Sequence, residues 1–417
     1  MVSFPKKYAI NLVAIESIFT RASGLFCIKG NGMGVLRNVG LGIMAISAMA
    51  SARASGPDYQ TTGVRPDNLP VMAPQLKARL RFPMAWSDQV TDLVAWRTAG
   101  VAKLWELTLQ TPDHTPFDAQ VVAEVDRGSY VARKVAFNLT ADSRVLGLLL
   151  VPKGQGPFPA AVMYHDHGAR FDIGKEKMIA PWGDPARQQA STVWTQRYFS
   201  GRHPGDELAK RGYVVFATDA LGWGDRGTLT YDMQQALAAN FLQLGSSLAG
   251  LMALEDTRAA AFLASLPEVN PRQVAAIGFS MGAQRAWQAA ALSDAITATV
   301  AVNWMATTEG LMVSGNNQLR GGSAWAMLHP GMQRFLDYPD VASLAAPKPM
   351  LLLAGEQDTL FPPEAVRAAY ARMGRVWGAW KAGDRFQTRI WPGGHVFEQD
   401  QQVFAWEWLD RQWGLKR

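Results

Sequence analysis

Residues 274–292 constrain this chain more than any other stretch. Val274-Ala-Ala-Ile277 is an apolar run of the kind that makes a buried strand, and 281–292, MGAQRAWQAAAL, is rich in good helix formers. Between them, Gly278-Phe279-Ser280-Met281-Gly282 leaves a serine on a tight turn. The flanking glycines supply room where backbone must pass close to backbone, which a residue without Cβ provides at least cost. A G-x-S-x-G turn between strand and helix exposes the serine Oγ above a sheet and aims the first N–H groups of the helix at the same spot.

A nucleophilic serine needs a base, and the base needs an acid to orient it. Downstream, residues 349–354 read as a second buried strand, and Gly355-Glu356-Gln357-Asp358 places a carboxylate in the loop after it. Residues 386–391 read as another strand, and Pro392-Gly393-Gly394-His395 puts an imidazole just past its end. The catalytic candidates are therefore Ser280, Asp358 and His395, in that order along the chain. Asp358 lies deepest in its loop and Leu360-Phe361-Pro362 can pin it; Glu356, Asp337 and Asp340 are the competing acids. The competing role for His395 is to cap a helix starting near Glu398.

The order of these three residues is that of the α/β-hydrolases. The chain resembles the dienelactone hydrolase and acetyl xylan esterase-like group of that superfamily. The resemblance rests on Tyr164-His-Asp-His-Gly-Ala169 with Gly174-Lys-Glu-Lys177, on Ala217-Thr-Asp-Ala-Leu-Gly-Trp-Gly-Asp-Arg226, on the 278–282 turn, on 346–358 and on Gly394-His395. These segments span roughly residues 130–417. One departure bears on substrate: dienelactone hydrolases proper use a cysteine nucleophile, and a serine stands here, which favours the esterase branch. The resemblance implies an oxyanion hole shared between the Met281 N–H and an N–H of the loop His165-Asp166-His167-Gly168. His167 is the choice there, with Asp166 and Gly168 as alternatives one residue away.

The rest of the chain fits an enzyme of one large α/β core. Residues 121–125, 130–137 and 145–151 read as strands that would open the sheet antiparallel, with turns at 126–128 and 141–143. Residues 158–164 and 213–218 begin its parallel part, with 204–210 as a crossover helix, and 246–266 carries an apolar helical face. Strands alternating with helices over short connections argue for a doubly wound, mostly parallel sheet, the α/β-hydrolase fold, in a catalytic domain from 118 to 417. Residues 55–117 would form an extended arm followed by one or two helices, broken around Gly100, that pack on the core. The insertion 303–344, with Gly315, Gly321, Gly322 and Pro330, is expected to serve as part of a cap.

Residues 1–54 read as a leader. From Met33 the chain shows a short basic region, an apolar run over 39–50 and A-x-A sites at 50–54, the pattern of a secretory signal peptide over 33–54. The run is too short for a membrane span. Met33 is a plausible true start; the alternative is an amphipathic helix kept in the mature enzyme. Much of the formal charge of +6 comes from Lys6, Lys7, Arg21, Lys29 and Arg37 of this leader, so the remainder is close to neutral and argues against a nucleic-acid partner. The single cysteine, Cys27, is also in the leader. An exported chain without it has no disulfide, thiol nucleophile or cysteine-ligated zinc. The expected location is therefore periplasmic or secreted, with no membrane association after signal cleavage.

Four further groups stand out in the sequence. His165 and His167 could ligate a metal, but no further ligands stand at suitable spacing, so no metal and no cofactor are expected. Lys175-Glu176-Lys177 reads as a solvated or salt-bridged turn. Arg226 could touch substrate or form a structural ion pair. Of the 15 tryptophans, Trp223 and Trp304 follow strand ends and are the candidates for a substrate pocket. The expected activity is serine-dependent hydrolysis of a small or carbohydrate ester, short-acyl or acetyl. The alternatives are a peptidase of the prolyl-oligopeptidase kind, against which the region before the catalytic domain is too short for a propeller, and a catalytically silent binding protein of the same fold.

Overall fold

A computed structural model describes residues 69–316 and 325–416. The predicted leader with Cys27, residues 55–68 of the arm, and Gly321 and Gly322 lie outside the described residues. Nine strands form one sheet: β1 Gln120–Asp126, β2 Tyr130–Thr140, β3 Ser143–Pro152, β4 Phe158–Tyr164, β5 Val214–Thr218, β6 Val269–Phe279, β7 Ala298–Val302, β8 Met350–Gly355 and β9 Phe386–Trp391. Their order across the sheet is β1-β2-β3-β5-β4-β6-β7-β8-β9. The pairs β1/β2, β2/β3 and β3/β5 are antiparallel, and every pair from β5/β4 to β8/β9 is parallel. This is the fold expected from the sequence.

The helices are α1 Ala73–Lys77, α2 Leu93–Thr108, α3 Pro185–Tyr198, α4 Pro204–Lys210, α5 Tyr231–Gln243, α6 Leu248–Ala264, α7 Met281–Leu292, α8 Thr308–Leu311, α9 Tyr338–Ser343, α10 Pro363–Ala379 and α11 Gln399–Gln412. Alternate strand residues point to opposite faces, and the two faces build two cores. Val274 and Ala276 of β6 join a cluster with α2, α6, α7, α9 and α10. Ala275, Ile277 and Phe279 join another with α3, α4 and α11. A strand covered on both faces must be apolar throughout, which is why 274–277 shows no alternation in the sequence.

The expected break around Gly100 is not there: α2 runs unbroken from Leu93 to Thr108, capped by Asp92, whose side chain accepts from Ala95 N. Gly100 serves close packing, because a Cβ there would lie 2.4 Å from Leu344 Cδ2. Trp86 and Val90 lie ahead of α2, outside any helix. Of the segment 303–344, the described residues 303–316 and 325–344 are in larger part buried. α9 is buried along its whole length, with Asp337 and Asp340 closing a capping box at its start. Met327, in a 3₁₀ turn Trp325–Met327, does reach the candidate site.

Candidate active site

Ser280 sits at φ +55° and ψ −125°, between the last residue of β6 and the first of α7. A non-glycine residue in such a conformation costs on the order of 1–3 kcal/mol and persists only where its surroundings hold it. They do so here: Ser280 N donates to Val302 O at 2.8 Å, and Ser280 O accepts from Ala283 N at 2.8 Å. The two glycines are required by close approach. A Cβ on Gly278 would lie 1.9 Å from Gly282 O, and one on Gly282 would lie 1.9 Å from Tyr164 O. The turn is thereby pressed against the end of β4 and the loop that follows it. Met281 is the first residue of α7, where a helix leaves N–H groups without an internal acceptor.

His395 follows β9 and its Nδ1 lies 2.6 Å from Asp358 Oδ2. Asp358 is 4% exposed and its Oδ1 accepts from Leu360 N at 2.9 Å. With the carboxylate as its acceptor, neutral His395 carries its proton on Nδ1 and leaves Nε2 free as a base. The imidazole lies against the rings of Phe279, 4.8 Å away, and Phe361, 6.2 Å away. The acid and histidine loops are tied together by Gln357 N donating to Gly393 O, and Asn303 Nδ2 pins the far side through Val396 O. The competing acids are engaged elsewhere: Glu356 pairs with Arg367 at the surface, and Asp337 and Asp340 pair with Arg372.

Ser280 and His395 line one cavity of about 300 Å³, together with Asp166, His167, Gly168 and Ala169 of the loop after β4. Both histidines of that loop are neutral and fully engaged. His167 Nδ1 accepts from Ala169 N at 3.0 Å, so its proton is on Nε2, facing Gln234 Oε1 at 2.6 Å. Burial lowers its pKa to about 4. His165 Nε2 accepts from Ala220 N, so Nδ1 donates to Asp166 O, and burial holds this ring far below the usual histidine range. Neither ring has a lone pair left for a metal. The backbone N–H groups of His167 and Gly168 have no acceptor among the described residues.

The dienelactone hydrolase family pattern matches residues 201–406, a span that holds Ser280, Asp358 and His395. Over that span the chain is similar to a dienelactone hydrolase family domain. The hydrolase is 26% identical over 312 residues to "Putative hydrolase YtaP" of Bacillus subtilis (strain 168), covering 74% of this chain and 98% of that protein. Among solved structures it is similar to a "putative acetyl xylan esterase" from Bacteroides fragilis NCTC 9343, with a TM-score of 0.63 at 16% identity, over 79% of this chain and 84% of the other. A glucuronoyl esterase from Solibacter usitatus aligns with a TM-score of 0.57 at 14% identity, over 81% of this chain and 100% of the other. These two likenesses show the fold.

Within the hydrolase, the three candidate pocket residues lie behind the cavity wall rather than on it. Trp223 is fully buried, with its ring against His167 and Phe171 and its Nε1 donating to His167 O at 3.2 Å. Trp304 is 2% exposed and packs on Tyr338 and Phe361. Arg226 forms a two-pronged ion pair with Glu255, the structural role weighed for it. The described side chains that do line the cavity include Trp194 and Tyr198 of α3, Tyr231 of α5, Met327 and Leu360. Trp194 and Tyr198 stand at i,i+4, the one sequence signal that could have marked them.

Lys175-Glu176-Lys177 is salt-bridged as expected but not solvated, all three residues being at most 2% exposed. Glu176, Asp219 and Asp225 bring carboxylate oxygens close enough together to hold a cation. Lys175 Nζ occupies that role, 2.9, 2.6 and 2.5 Å from the three. Burial alone would lower its pKa, but Asp219, Glu176 and Asp225 overcome this and leave it raised. Lys177 goes the other way: burial lowers its pKa, and Asp166 offsets only part of the effect.

Proposed function

We propose that the hydrolase is a serine esterase acting on short-acyl or acetyl esters, with carbohydrates as the alcohol. The observation that carries this reading is the meeting of Ser280, on its strained turn, and the Asp358-paired His395 at one cavity. Ser280 Oγ attacks the ester carbonyl and gives its proton to His395 Nε2, while the carbonyl electron pair moves onto oxygen. The N–H groups of Met281 and His167 stabilise that oxyanion, and Asp358 steadies the imidazolium. Collapse expels the alcohol, which takes the proton from His395, and water then releases the acyl group by the same steps. A cavity of about 300 Å³ suits a short acyl chain, and Trp194, Tyr198 and Tyr231 offer ring faces on which a sugar can stack. Of the structural relatives, the acetyl xylan esterase supports this substrate class, while a glucuronoyl ester carries its sugar on the acyl side and supports only a carbohydrate ester.

The test is pre-steady-state release of p-nitrophenol from p-nitrophenyl acetate. Wild type should give a burst near one equivalent, and Ser280→Ala should lose the burst and about 10⁶-fold in kcat. Equal turnover by both proteins would remove Ser280 from the mechanism. Hydrolysis of an aminoacyl-proline amide in preference to the ester would favour the peptidase. We also propose that residues 33–54 direct export; N-terminal sequencing of the exported protein should begin near residues 52–55, and a mature end well before Ala50 would contradict it.

A further inference from the structure

The ammonium of Lys177 is bonded to two successive carbonyls of the loop that lines the cavity with Ser280. Nζ donates to Asp166 O at 3.0 Å and to His167 O at 3.1 Å, and lies 3.4 Å from Asp166 Oδ2. Three donors thus meet three acceptors, and the side chain is fully buried with Nζ over the ring of Trp194. In a trans peptide the C=O and N–H point in opposite directions. Drawing Asp166 O back onto Nζ turns His167 N–H forward, and drawing His167 O back turns Gly168 N–H forward. Asp166, His167 and Gly168 line the cavity with Ser280, whereas Lys177 does not.

Two successive carbonyls aimed at one point repel each other, and the chain beyond them runs through positive φ at both Gly168 and Ala169. A cation at the focus of the two carbonyls makes that arrangement favourable; His165 Nδ1 also supports the first and Trp223 Nε1 the second, but Nζ alone meets both. Burying an ammonium costs several kcal/mol unless its partners are well placed, and a neutral donor would satisfy the same oxygens at lower cost. What the charge adds is polarisation: a cation on each C=O makes the opposite N–H a stronger donor in a site of low dielectric. We propose that Lys177 is the positioning residue of the oxyanion hole, holding His167 and Gly168 N–H toward the carbonyl oxygen of the ester bound at Ser280. This inference rests on the esterase reading above.

The test compares wild type with Lys177→Met, which keeps the length of the side chain and removes its donors, and with Trp223→Phe, which keeps the ring packing and removes one bond to His167 O. Leu104→Ala, remote on α2, controls for lost stability. Each is assayed on p-nitrophenyl acetate and for inhibition by a trifluoromethyl ketone, whose hemiketal oxyanion occupies the hole. Lys177→Met should lose about 10- to 100-fold in kcat with KM nearly unchanged, and weaken inhibition by a similar factor. Trp223→Phe should lose less, in the same pattern. A folded Lys177→Met with wild-type kcat and inhibition overturns the proposal, as does an equal kcat loss in Leu104→Ala. Where Lys177→Met does not fold, Trp223→Phe decides, and wild-type values there overturn it. Failure of the esterase reading is seen separately, as no turnover by wild type or undiminished turnover by Ser280→Ala.

Discussion

Asp358 and Glu356 stand two residues apart in one loop, and burial and partner separate them. Asp358 is 4% exposed and holds His395 Nδ1 at 2.6 Å, while Glu356 pairs with Arg367 in solvent. Asp358→Asn should therefore leave the imidazole in the wrong tautomer and lower kcat by about 10⁴-fold. Glu356→Gln should stay within about threefold, since surface pairs contribute at most ~1 kcal/mol. Steady-state rates of the two purified variants on p-nitrophenyl acetate check this, and a larger loss in Glu356→Gln would exchange the roles. The serine, acid and base could be sought in the sequence because chemistry demands those residue types just past strand ends, in a set order. The wall of the cavity could not. Trp223 and Trp304 also follow strand ends, but which side of the loop a tryptophan ends on is decided by packing, and both pack inward. Lys177 was hidden for the same reason: a lysine among charged neighbours reads as surface until its carbonyl partners, ten and eleven positions earlier in the chain, are seen to fold over it.

At the level of elements, β4 to β8 and the helices α6 and α7 were legible because each buries mostly apolar residues, whereas β1 and β9, exposed or half-buried along their length, were marked by their flanking turns. α3 was not legible, since Pro185–Tyr198 is mostly polar and buries chiefly Ala190, Ser191, Trp194 and Thr195. Gly100 misled because a glycine in a helical pattern weakens it on propensity alone, yet this one admits Leu344. Two glycine substitutions follow from what a Cβ would meet. At Gly282 it meets backbone at 1.9 Å, and neither β4 nor α7 can retreat without disturbing the Ser280 turn. Gly282→Ala should lose more than ~3 kcal/mol of stability and nearly all activity. At Gly100 the nearest atoms are the methyls of a leucine side chain that can rotate, and alanine gains about 1 kcal/mol in helix propensity. Gly100→Ala should therefore cost far less and leave kcat unchanged. Urea midpoints with kcat for both variants check this; a Gly282→Ala protein as stable as Gly100→Ala would mean that the turn is not closely packed.

The molecule as a whole carries several histidines that the fold keeps neutral, and this makes its stability acid-sensitive. His329 is the simplest to isolate. Its Nε2 lies 3.0 Å from Gln288 Oε1, Nδ1 has no protein partner among the described residues, and burial lowers its pKa from 6.5 to about 4. Between those two values the unfolded chain binds a proton there that the folded chain refuses. Stability from this residue is thus complete above pH 6.5 and is lost as pH falls toward 4. His167 has the same sign over the same window, while Asp340, whose pKa burial raises, works against it. The total slope mixes these contributions, so the prediction concerns a difference. His329→Gln, which keeps a donor for Gln288, should be less stable at pH 7 but lose less on acidification. Through the window, wild type should fall more steeply than the variant by up to about 1.4 kcal/mol per pH unit, the linkage of one proton. Urea melts of both proteins at pH 7, 6 and 5 measure that difference. Parallel curves would mean that His329 takes up its proton within the fold, and that the polar pocket it shares with Arg285 and Asp256 is open to water.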